Sequence, residues 1–126
     1  MIIYASRTGN VRYIVSKLIG ETKEITEGLL LHQPFLLITY TDRLGEVPDI
    51  VTRFLEQNAQ HCKGVVVSGN RNFGHVNFGA AGEKIELLYN IPLVRKLDLR
   101  GYPQDYKEIQ QFYEKRVLNE IILETK

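Results

Sequence analysis

Short apolar runs alternate along the chain with segments in which apolar residues recur every three or four positions. The runs predict β-strands, and the periodic segments predict amphipathic helices. Strands are predicted at Ile2–Ala5, Lys23–Thr26, Phe35–Tyr40, Gly64–Ser68 and within Pro92–Leu99. Phe35–Tyr40 is almost continuously apolar, which is typical of a strand covered on both faces of a parallel sheet. Lys23–Thr26 is brief and polar, so we expect it at an edge and count four or five strands.

Four helices are predicted between and after these strands, at Val11–Ile19, from Pro48 onward, at Ala80–Tyr89 and from Asp105. The residues expected to face the core are Val11, Ile14, Val15, Leu18 and Ile19 in the first helix, Val51, Phe54, Leu55 and Ala59 in the second, Ala81, Ile85 and Leu88 in the third, and Ile109, Phe112, Tyr113, Val117 and Ile121 in the last. Leu93, Leu97 and Leu99 alternate along the last strand. Asp105 and Glu108 have the spacing of a capping box.

This alternation predicts an α/β fold in which helices cover both faces of a mostly parallel sheet, forming a three-layer sandwich. The flavodoxin-like strand order 2-1-3-4-5 fits the chain length better than a full dinucleotide-binding fold, which needs a sixth strand. The chain has 126 residues, and we expect residues 1–126 to form a single domain.

Composition and charge disfavour several classes of function. The 16 basic and 15 acidic side chains leave a net charge of +1, which does not favour nucleic acid or an anionic membrane as a partner. The histidines are scattered without the spacing of a metal site. Cys62 is the only cysteine, and we expect a half-buried apolar residue rather than a reactive thiol. A free thiol and the absence of a signal-peptide pattern favour a cytoplasmic location.

The first loop, Ser6–Asn10, follows the first strand directly and leads into a helix. Free backbone N–H groups at the start of that helix make the loop an anion site, and Ser6, Thr8 and Asn10 add side-chain donors. No lysine follows as in a nucleoside-triphosphate loop, so a single phosphate monoester is favoured. The same small residues could instead simply cap the helix.

Two more loops leave strands at the same edge of the sheet, beside the point where the strand order reverses and ligands bind. The second loop, Thr39–Gly45, and the third loop, Ser68–Gly74, bring the aromatic rings of Tyr40 and Phe73 together with amide and hydroxyl groups. A flat heterocycle with a phosphate arm suits this site, and flavin mononucleotide (FMN) is the obvious candidate. The two rings could also be core or surface aromatics, and the glycines plain turn residues.

Motifs in these loops carry a resemblance to a known family. They are Ser6-Arg7-Thr8-Gly9-Asn10-Val11, Thr39-Tyr40-Thr41 leading to Gly45 and Val47-Pro48, and Ser68-Gly69-Asn70-Arg71-Asn72-Phe73-Gly74. They resemble the NrdI family of small flavodoxin-like flavoproteins that serve class Ib ribonucleotide reductase. The first motif is shared with ordinary flavodoxins, whereas the third is much more specific. The similarity continues through Ile91-Pro92-Leu93 and Leu97–Gly101, so it covers nearly the whole chain.

The resemblance implies a bound FMN whose reduced form reacts with dioxygen and passes an oxidant, superoxide, to the small subunit of the class Ib reductase. That subunit would then assemble its dimanganese–tyrosyl radical cofactor. The protein would be an accessory redox flavoprotein, with no catalytic side chain and no metal of its own, reduced by an unidentified electron donor. The residues implied to bind FMN are Ser6, Arg7, Thr8, Gly9, Asn10 and Val11 at the phosphate, Tyr40, Thr41, Leu44 and Gly45 beside the ring system, and Ser68, Gly69, Asn70, Asn72, Phe73 and Gly74 on its other side. Gly45 is implied to act as a backbone switch near flavin N5, since a glycine peptide can rotate at little steric cost.

The sequence departs from the family pattern at two places. His75-Val76-Asn77-Phe78 stands where the link is often shorter or acidic, and Asp42-Arg43-Leu44 stands where smaller residues are common. The balanced charge also differs from that of electron-transfer flavodoxins, which are strongly acidic, and this favours a dedicated partner. Two alternatives stay open: a general flavodoxin that carries single electrons, and a non-redox module that uses the first loop for another ligand.

Overall fold

Five parallel strands form the central sheet in the computed structural model, which describes residues 1–124. The strands are β1 (Ile2–Tyr4), β2 (Thr22–Glu24), β3 (Phe35–Tyr40), β4 (Cys62–Gly69) and β5 (Leu93–Asp98). Their order is β2-β1-β3-β4-β5, and every neighbouring pair is parallel. The predicted fold class and strand order are confirmed, and the short polar strand β2 lies at an edge as expected.

Helices cover both faces of the sheet and complete three layers. They are α1 (Asn10–Ser16), α2 (Asp49–Asn58), α3 (Ala80–Tyr89), α4 (Pro103–Tyr113) and α5 (Asn119–Glu124), with 3-10 turns at Ala59–His61 and Arg71–Phe73 and a π-helical turn at Glu114–Leu118. A buried cluster joins α2 and α3 to one face of the sheet, and a second cluster joins α1 and α4 to the other. Among the described residues, no helix has the length and apolar character needed to cross a membrane.

The central strand β3 is buried on both faces, which explains its continuous apolar sequence. Phe35 and Leu37 belong to the α2–α3 cluster, whereas Leu36 and Ile38 belong to the α1–α4 cluster. All four side chains are fully buried. Burial of one such side chain contributes roughly 1.5–3 kcal/mol to folding, so β3 anchors both layers at once.

The first helix ends earlier than predicted, because a side chain from α4 binds the backbone that follows it. α1 stops at Ser16. Gln110 accepts a hydrogen bond from the N–H of Ile19 at 2.9 Å and donates one to the Ile19 carbonyl at 3.0 Å. These bonds hold Ile19 outside the helix with its side chain 80% exposed, so the prediction that it faces the core is wrong.

The buried stripe of α3 differs from the prediction by one residue. Ala81 and Ile85 are fully buried, and Tyr89 packs against the same cluster. Leu88 is 71% exposed, so its assignment to the core is wrong. The four-residue steps that lead from 81 to 85 continue to 89, which leaves position 88 on the solvent side of the helix.

A β-bulge at Val94 changes which face each side chain of β5 presents. Successive residues of β4 pair with Leu93 and Arg95, so Val94 has no partner opposite it. Leu93 therefore packs against the α2–α3 cluster and Leu97 lies in the α1–α4 cluster. The simple alternation predicted for the last strand is wrong, and Leu99 lies beyond the strand and is 44% exposed.

Asp105 caps α4 from within the first turn rather than from the position before the helix. α4 begins at Pro103, since proline is favoured at the first helical residue. The Asp105 carboxylate accepts a hydrogen bond from the N–H of Tyr102 at 2.7 Å and one from Arg95 Nε at 2.5 Å. The predicted box of Asp105 with Glu108 is therefore wrong.

Candidate functional site

A cavity of about 310 Å³ opens at the carboxyl ends of the strands, between the three loops expected to form the site. This volume is at the low end of the range for small-molecule sites, about 300–1,000 Å³. The lining residues are Arg7, Thr8, Asn10, Tyr40, Thr41, Arg43, Ser68, Gly69, Asn70, Phe73, Asn77 and Leu99. Among the described residues the lining includes two arginines and no carboxylate, and each arginine pairs with a carboxylate just outside the lining, Arg7 with Asp42 and Arg43 with Glu46. Within the same part of the chain, no three His, Cys, Asp or Glu side chains are placed to hold a metal ion.

The first loop offers backbone donors to the cavity. Within residues 1–124, the N–H groups of positions 8–11 make no hydrogen bond. Thr8 and Asn10 line the cavity beside them. Gly9 has φ = +93°, a left-handed conformation that turns the chain into α1 and that is strained for other residues. Clustered N–H groups of this kind form a concave binding site for an anion such as phosphate.

Three residues predicted from the first loop are absent from the cavity lining, namely Ser6, Gly9 and Val11. Ser6 Oγ accepts a hydrogen bond from the N–H of Arg12 at 3.3 Å, so its hydroxyl caps α1. Val11 is 1% exposed and packs in the α1–α4 cluster. The buried Val11 side chain cannot contact a ligand, whereas the Ser6 hydroxyl keeps its proton as a donor.

The second loop is pinned by backbone hydrogen bonds and contains a buried, unpaired hydroxyl. Asp42 and Glu46 exchange two N–H···O bonds of 2.7 Å. The N–H of Thr41 donates to the Ser68 carbonyl at 2.9 Å, which continues the β3–β4 pairing into the loop. Thr41 Oγ1 is buried without a hydrogen-bond partner in the described part of the chain. Because buried polar atoms are normally paired, an unpaired hydroxyl in a cavity wall fits a site that a ligand completes.

Leu44 and Gly45 lie outside the cavity lining. The Leu44 side chain is 66% exposed. Gly45 is buried with φ = +94°, and a Cβ at this position would lie 2.9 Å from the Cβ of Ala80 in α3. Close packing therefore requires glycine at position 45. The rotation of its peptide toward a flavin stays a prediction.

Arg7 connects the first loop to the second loop at the cavity wall. Its Nη1 donates to Asp42 Oδ1 at 2.7 Å, and its Cζ lies 5.2 Å from the centroid of the Tyr40 ring. Burial raises the pKa of the Tyr40 hydroxyl; Asp42 raises it further, and Arg7 offsets only part of the shift. Tyr40 is therefore a neutral aromatic wall at physiological pH, with a guanidinium over its ring.

The third loop brings Phe73 to the cavity through a 3-10 turn. Asn70 Oδ1 accepts a hydrogen bond from the N–H of Asn72 at 2.9 Å, and this bond starts the turn. The Phe73 side chain lines the cavity and remains 56% exposed. Asn72 and Gly74 are exposed and lie outside the lining. The loop therefore presents Asn70 and Phe73 to a ligand, with Asn72 supporting them.

Ser68 and Gly69 connect the cavity wall to the end of β5. Ser68 Oγ donates to the Leu99 carbonyl at 2.5 Å, and the N–H of Leu99 donates to the Gly69 carbonyl at 2.7 Å. The Ser68 hydroxyl is therefore already used within the protein. Leu99 was absent from the predicted site, although its position after the carboxyl end of a strand was a usable signal.

A family model described as NrdI flavodoxin-like matches residues 2–111 of the chain. The chain belongs to the NrdI family. The matched region contains all three loops around the cavity, and it confirms the resemblance seen in the loop motifs.

Solved structures similar to this NrdI chain include two flavodoxins. One is a short-chain flavodoxin associated with a PDU bacterial microcompartment, with a TM-score of 0.67 and 20% identity, covering 90% of this chain and 92% of that one. The other is a Fusobacterium nucleatum flavodoxin bound to flavin mononucleotide, with a TM-score of 0.56 and 17% identity, covering 90% and 93% of the two chains. At these identities the similarity supports the fold alone.

Arg43 and Asn77 line the cavity but were absent from the predicted site. Arg43 lies in the segment Asp42-Arg43-Leu44 and Asn77 in the segment His75-Val76-Asn77-Phe78, the two segments described above as departures from the family pattern. Asn77 Nδ2 donates to the Phe73 carbonyl at 3.0 Å. The departures therefore contribute directly to the shape of the cavity.

Proposed function

We propose that this NrdI-family protein binds FMN in the cavity and, in its reduced form, supplies superoxide to the small subunit of a class Ib ribonucleotide reductase. That subunit uses the oxidant to assemble its dimanganese–tyrosyl radical cofactor. The proposal rests on the family match. The cavity supports it, because the three loops that bear the NrdI motifs surround this one site. The protein then acts in the cytoplasm as an accessory redox flavoprotein and receives electrons from a donor still to be identified.

The first loop fits the phosphate of FMN. The N–H groups of positions 8–11 and the side chains of Thr8 and Asn10 would hold the phosphate oxygens. Arg7 and Arg43 lie at the same wall, where Arg7 pairs with Asp42 and Arg43 with Glu46. The backbone at Ser6, Gly9 and Val11 contributes to the shape of the loop around the phosphate. This donor set suits one phosphate monoester, in agreement with the absence of a following lysine.

The second and third loops fit the ring system of FMN. Tyr40 and Phe73 would border the ring, and Thr41, Asn70 and Asn77 would offer polar groups to its edge. The unpaired Thr41 hydroxyl supports this arrangement, because a ligand atom would satisfy it. The other predicted residues of these loops shape the wall through their backbone, namely Leu44, Gly45, Ser68, Gly69, Asn72 and Gly74.

FMN, when bound and reduced, supplies the electrons that convert dioxygen to superoxide. The residues of the chain hold the cofactor and set the charge around it. Tyr40 keeps its proton at neutral pH, because burial raises the pKa of its hydroxyl. The wall beside the ring therefore adds no negative charge. The 56% exposure of Phe73 leaves this side open to dioxygen and to a partner protein.

A balanced surface charge supports a dedicated partner over general electron transfer. The net charge is +1, and no carboxylate is in the described cavity lining. A one-electron carrier that docks to many basic redox proteins needs an acidic surface around its cofactor. That alternative predicts rapid reduction of an unrelated one-electron acceptor, and no advantage for the reductase subunit.

The first experiment tests FMN binding. We expect the purified protein, reconstituted with FMN, to show a visible flavin spectrum after removal of free cofactor. Riboflavin, which lacks the phosphate, is the control and should be retained much less. A protein that stays colourless with FMN would exclude both redox functions and leave the non-redox module.

The second experiment tests delivery of oxidant. Reduced protein is mixed with dioxygen and the manganese-loaded small subunit, and the tyrosyl radical is measured by electron paramagnetic resonance. We expect a radical yield well above that of a flavin-free control. If the holoprotein gives no more radical than the control while it still reduces a one-electron acceptor, the protein is a general flavodoxin instead.

A further inference from the structure

The segment after the third loop leads the chain into α3; we call residues 75–79 the return segment. From position 71 to 78, only Asn77 and Phe78 are not exposed. A Cβ on Gly69 would lie 2.9 Å from the backbone N of Gly79 and 3.3 Å from the Phe78 ring. The return segment therefore packs directly against the end of β4.

Two cations lie over the ring of Phe78. The Cζ of Arg71 is 4.8 Å from the ring centroid, and the Nζ of Lys96 is 6.0 Å from it. Lys96 comes from β5 and also pairs with Glu83 of α3. Cations at these distances are attracted to the face of an aromatic ring. The ring of Phe78 thus connects the third loop, through Arg71, to the sheet, through Lys96.

The immediate neighbours of this cluster face the cavity, although Phe78 does not. Asn77 lines the cavity and donates to the Phe73 carbonyl at 3.0 Å. Arg71 begins the 3-10 turn that ends at Phe73. A change at Phe78 therefore reaches a ligand through its neighbours in the cavity wall, namely Gly69, Asn77 and Phe73.

We infer that Phe78 is a positioning residue that clamps the third loop, so that Phe73 and Asn77 are held beside the ring of the bound cofactor. The inference rests on the proposed binding of FMN. Phe78 stands in the segment His75-Val76-Asn77-Phe78, where this chain departs from the NrdI pattern. The clamp therefore belongs to the link between the third loop and α3.

The test compares two substitutions at Phe78 with a matched control. Phe78→Leu removes the aromatic face and keeps an apolar side chain, whereas Phe78→Tyr keeps the face. Phe112→Leu is the control, because Phe112 is also a half-buried ring but packs against Gly64, away from the cavity lining. The measurements are the dissociation constant of FMN, the visible circular dichroism of bound FMN and the melting temperature of the apoprotein.

Phe78→Leu is expected to weaken FMN binding roughly tenfold and to change the circular dichroism, while Phe78→Tyr stays within about twofold of the unmodified protein. Phe112→Leu should lower the melting temperature without changing either flavin measurement. Unchanged affinity and circular dichroism in Phe78→Leu would overturn the inference, and so would an equal loss in Phe78→Tyr.

Hydrogen exchange of the apoprotein separates this inference from the proposed function. If the unmodified protein binds no FMN, the proposed function fails, but the clamp still predicts faster exchange of amides 70–77 in Phe78→Leu than in Phe112→Leu. Equal exchange of these amides in the two variants would show that Phe78 does not order the loop.

Discussion

The environment of a residue decides its chemistry more than its type does. Thr39 and Thr41 both lie at the end of β3, but Thr39 Oγ1 donates to the Tyr40 carbonyl at 3.1 Å, whereas Thr41 Oγ1 is buried and unpaired among the described residues. Cys62 is buried at the start of β4, and its thiol donates to the Gly64 carbonyl at 3.3 Å. Neither environment can be seen in the sequence, because both depend on packing between strands.

Replacement of Thr41 by valine should stabilise the apoprotein and weaken FMN binding. The variant removes a buried, unpaired hydroxyl, so we expect a gain of about 1 kcal/mol in the free energy of unfolding. FMN affinity should fall roughly fivefold to tenfold, because the hydroxyl is the group that the ligand satisfies. Thr39→Val is the control: its hydroxyl has a partner, so it should not gain stability. Denaturant unfolding and FMN titration measure both effects, and a destabilised Thr41→Val would contradict the assignment.

The Cys62 thiol should make stability fall at high pH. Burial raises its pKa from 9.0 to about 12 in the folded protein. The unfolded thiol loses its proton first as the pH rises through this interval, so unfolding becomes more favourable by up to about 1.4 kcal/mol per pH unit. Below pH 9 the thiol has no such effect. Urea unfolding between pH 8 and about 10.5 should therefore show a steeper decline in the unmodified protein than in Cys62→Ala. Parallel curves would mean that the thiol is not buried as described.

A negative charge at Gly9 should weaken FMN binding through the phosphate. The left-handed φ of +93° strains any side chain here, and it strains Asn and Asp about equally. Gly9→Asn, whose side chain matches that of Asp in size but carries no charge, is therefore the control for Gly9→Asp. We expect Gly9→Asp to bind FMN roughly fivefold to tenfold more weakly than Gly9→Asn, by repulsion of the phosphate. Riboflavin should not distinguish the two variants. Equal FMN affinities would place the phosphate elsewhere.

At the scale of elements, the sequence predicts where helices and strands lie better than how they end. Apolar periodicity located the helices, because their buried stripes belong to the local sequence. The end of α1 depends on Gln110, far away in the chain, and the start of α4 depends on a bond between Asp105 and Tyr102. The bulge at Val94 arises from pairing with β4, which no local pattern encodes.

Asp105 should contribute strongly to stability, and Glu108 should not. Asp105→Ala removes the hydrogen bonds to the Tyr102 N–H and to Arg95, so we expect a loss of about 2 kcal/mol in the free energy of unfolding. Glu108→Ala, at the position that the sequence suggested as the capping partner, should change stability by less than about 0.5 kcal/mol. Chemical denaturation of both variants measures the difference. Similar losses of stability in Asp105→Ala and Glu108→Ala would indicate that the capping box predicted from the sequence does form.

At the scale of the whole molecule, the sequence was sufficient to predict the order of the strands in the sheet. It was also sufficient to predict that three loops lie together at one edge of the sheet. The carboxyl ends of parallel strands share one edge, so loops that follow β1, β3 and β4 must lie together. Which side chains enter the cavity was harder to predict. Ser6 turns to cap α1, Gly45 packs on α3, and Asn77 reaches the wall from the return segment. These directions depend on contacts between elements and not on the loop sequences.

FMN should stabilise the whole fold, because the cavity exists only in the folded chain. At a free FMN concentration of 100 times the dissociation constant, linkage gives about 2.7 kcal/mol. For a chain of this size that corresponds to a rise of roughly 10 °C in melting temperature. Riboflavin at the same concentration should give a smaller rise, because it lacks the phosphate. A melting temperature that is insensitive to FMN would argue against cofactor binding at this site.

The hydrogen bond from Ser68 to the carbonyl of Leu99 has a consequence for biosynthesis. Because Leu99, directly after the final strand, supplies part of the wall, a chain still emerging from the ribosome carries an unfinished pocket until about residue 99 has left the exit tunnel. If the flavin binds at the proposed site, its capture follows translation of most of the polypeptide, and a product that stops before this point lacks part of the wall.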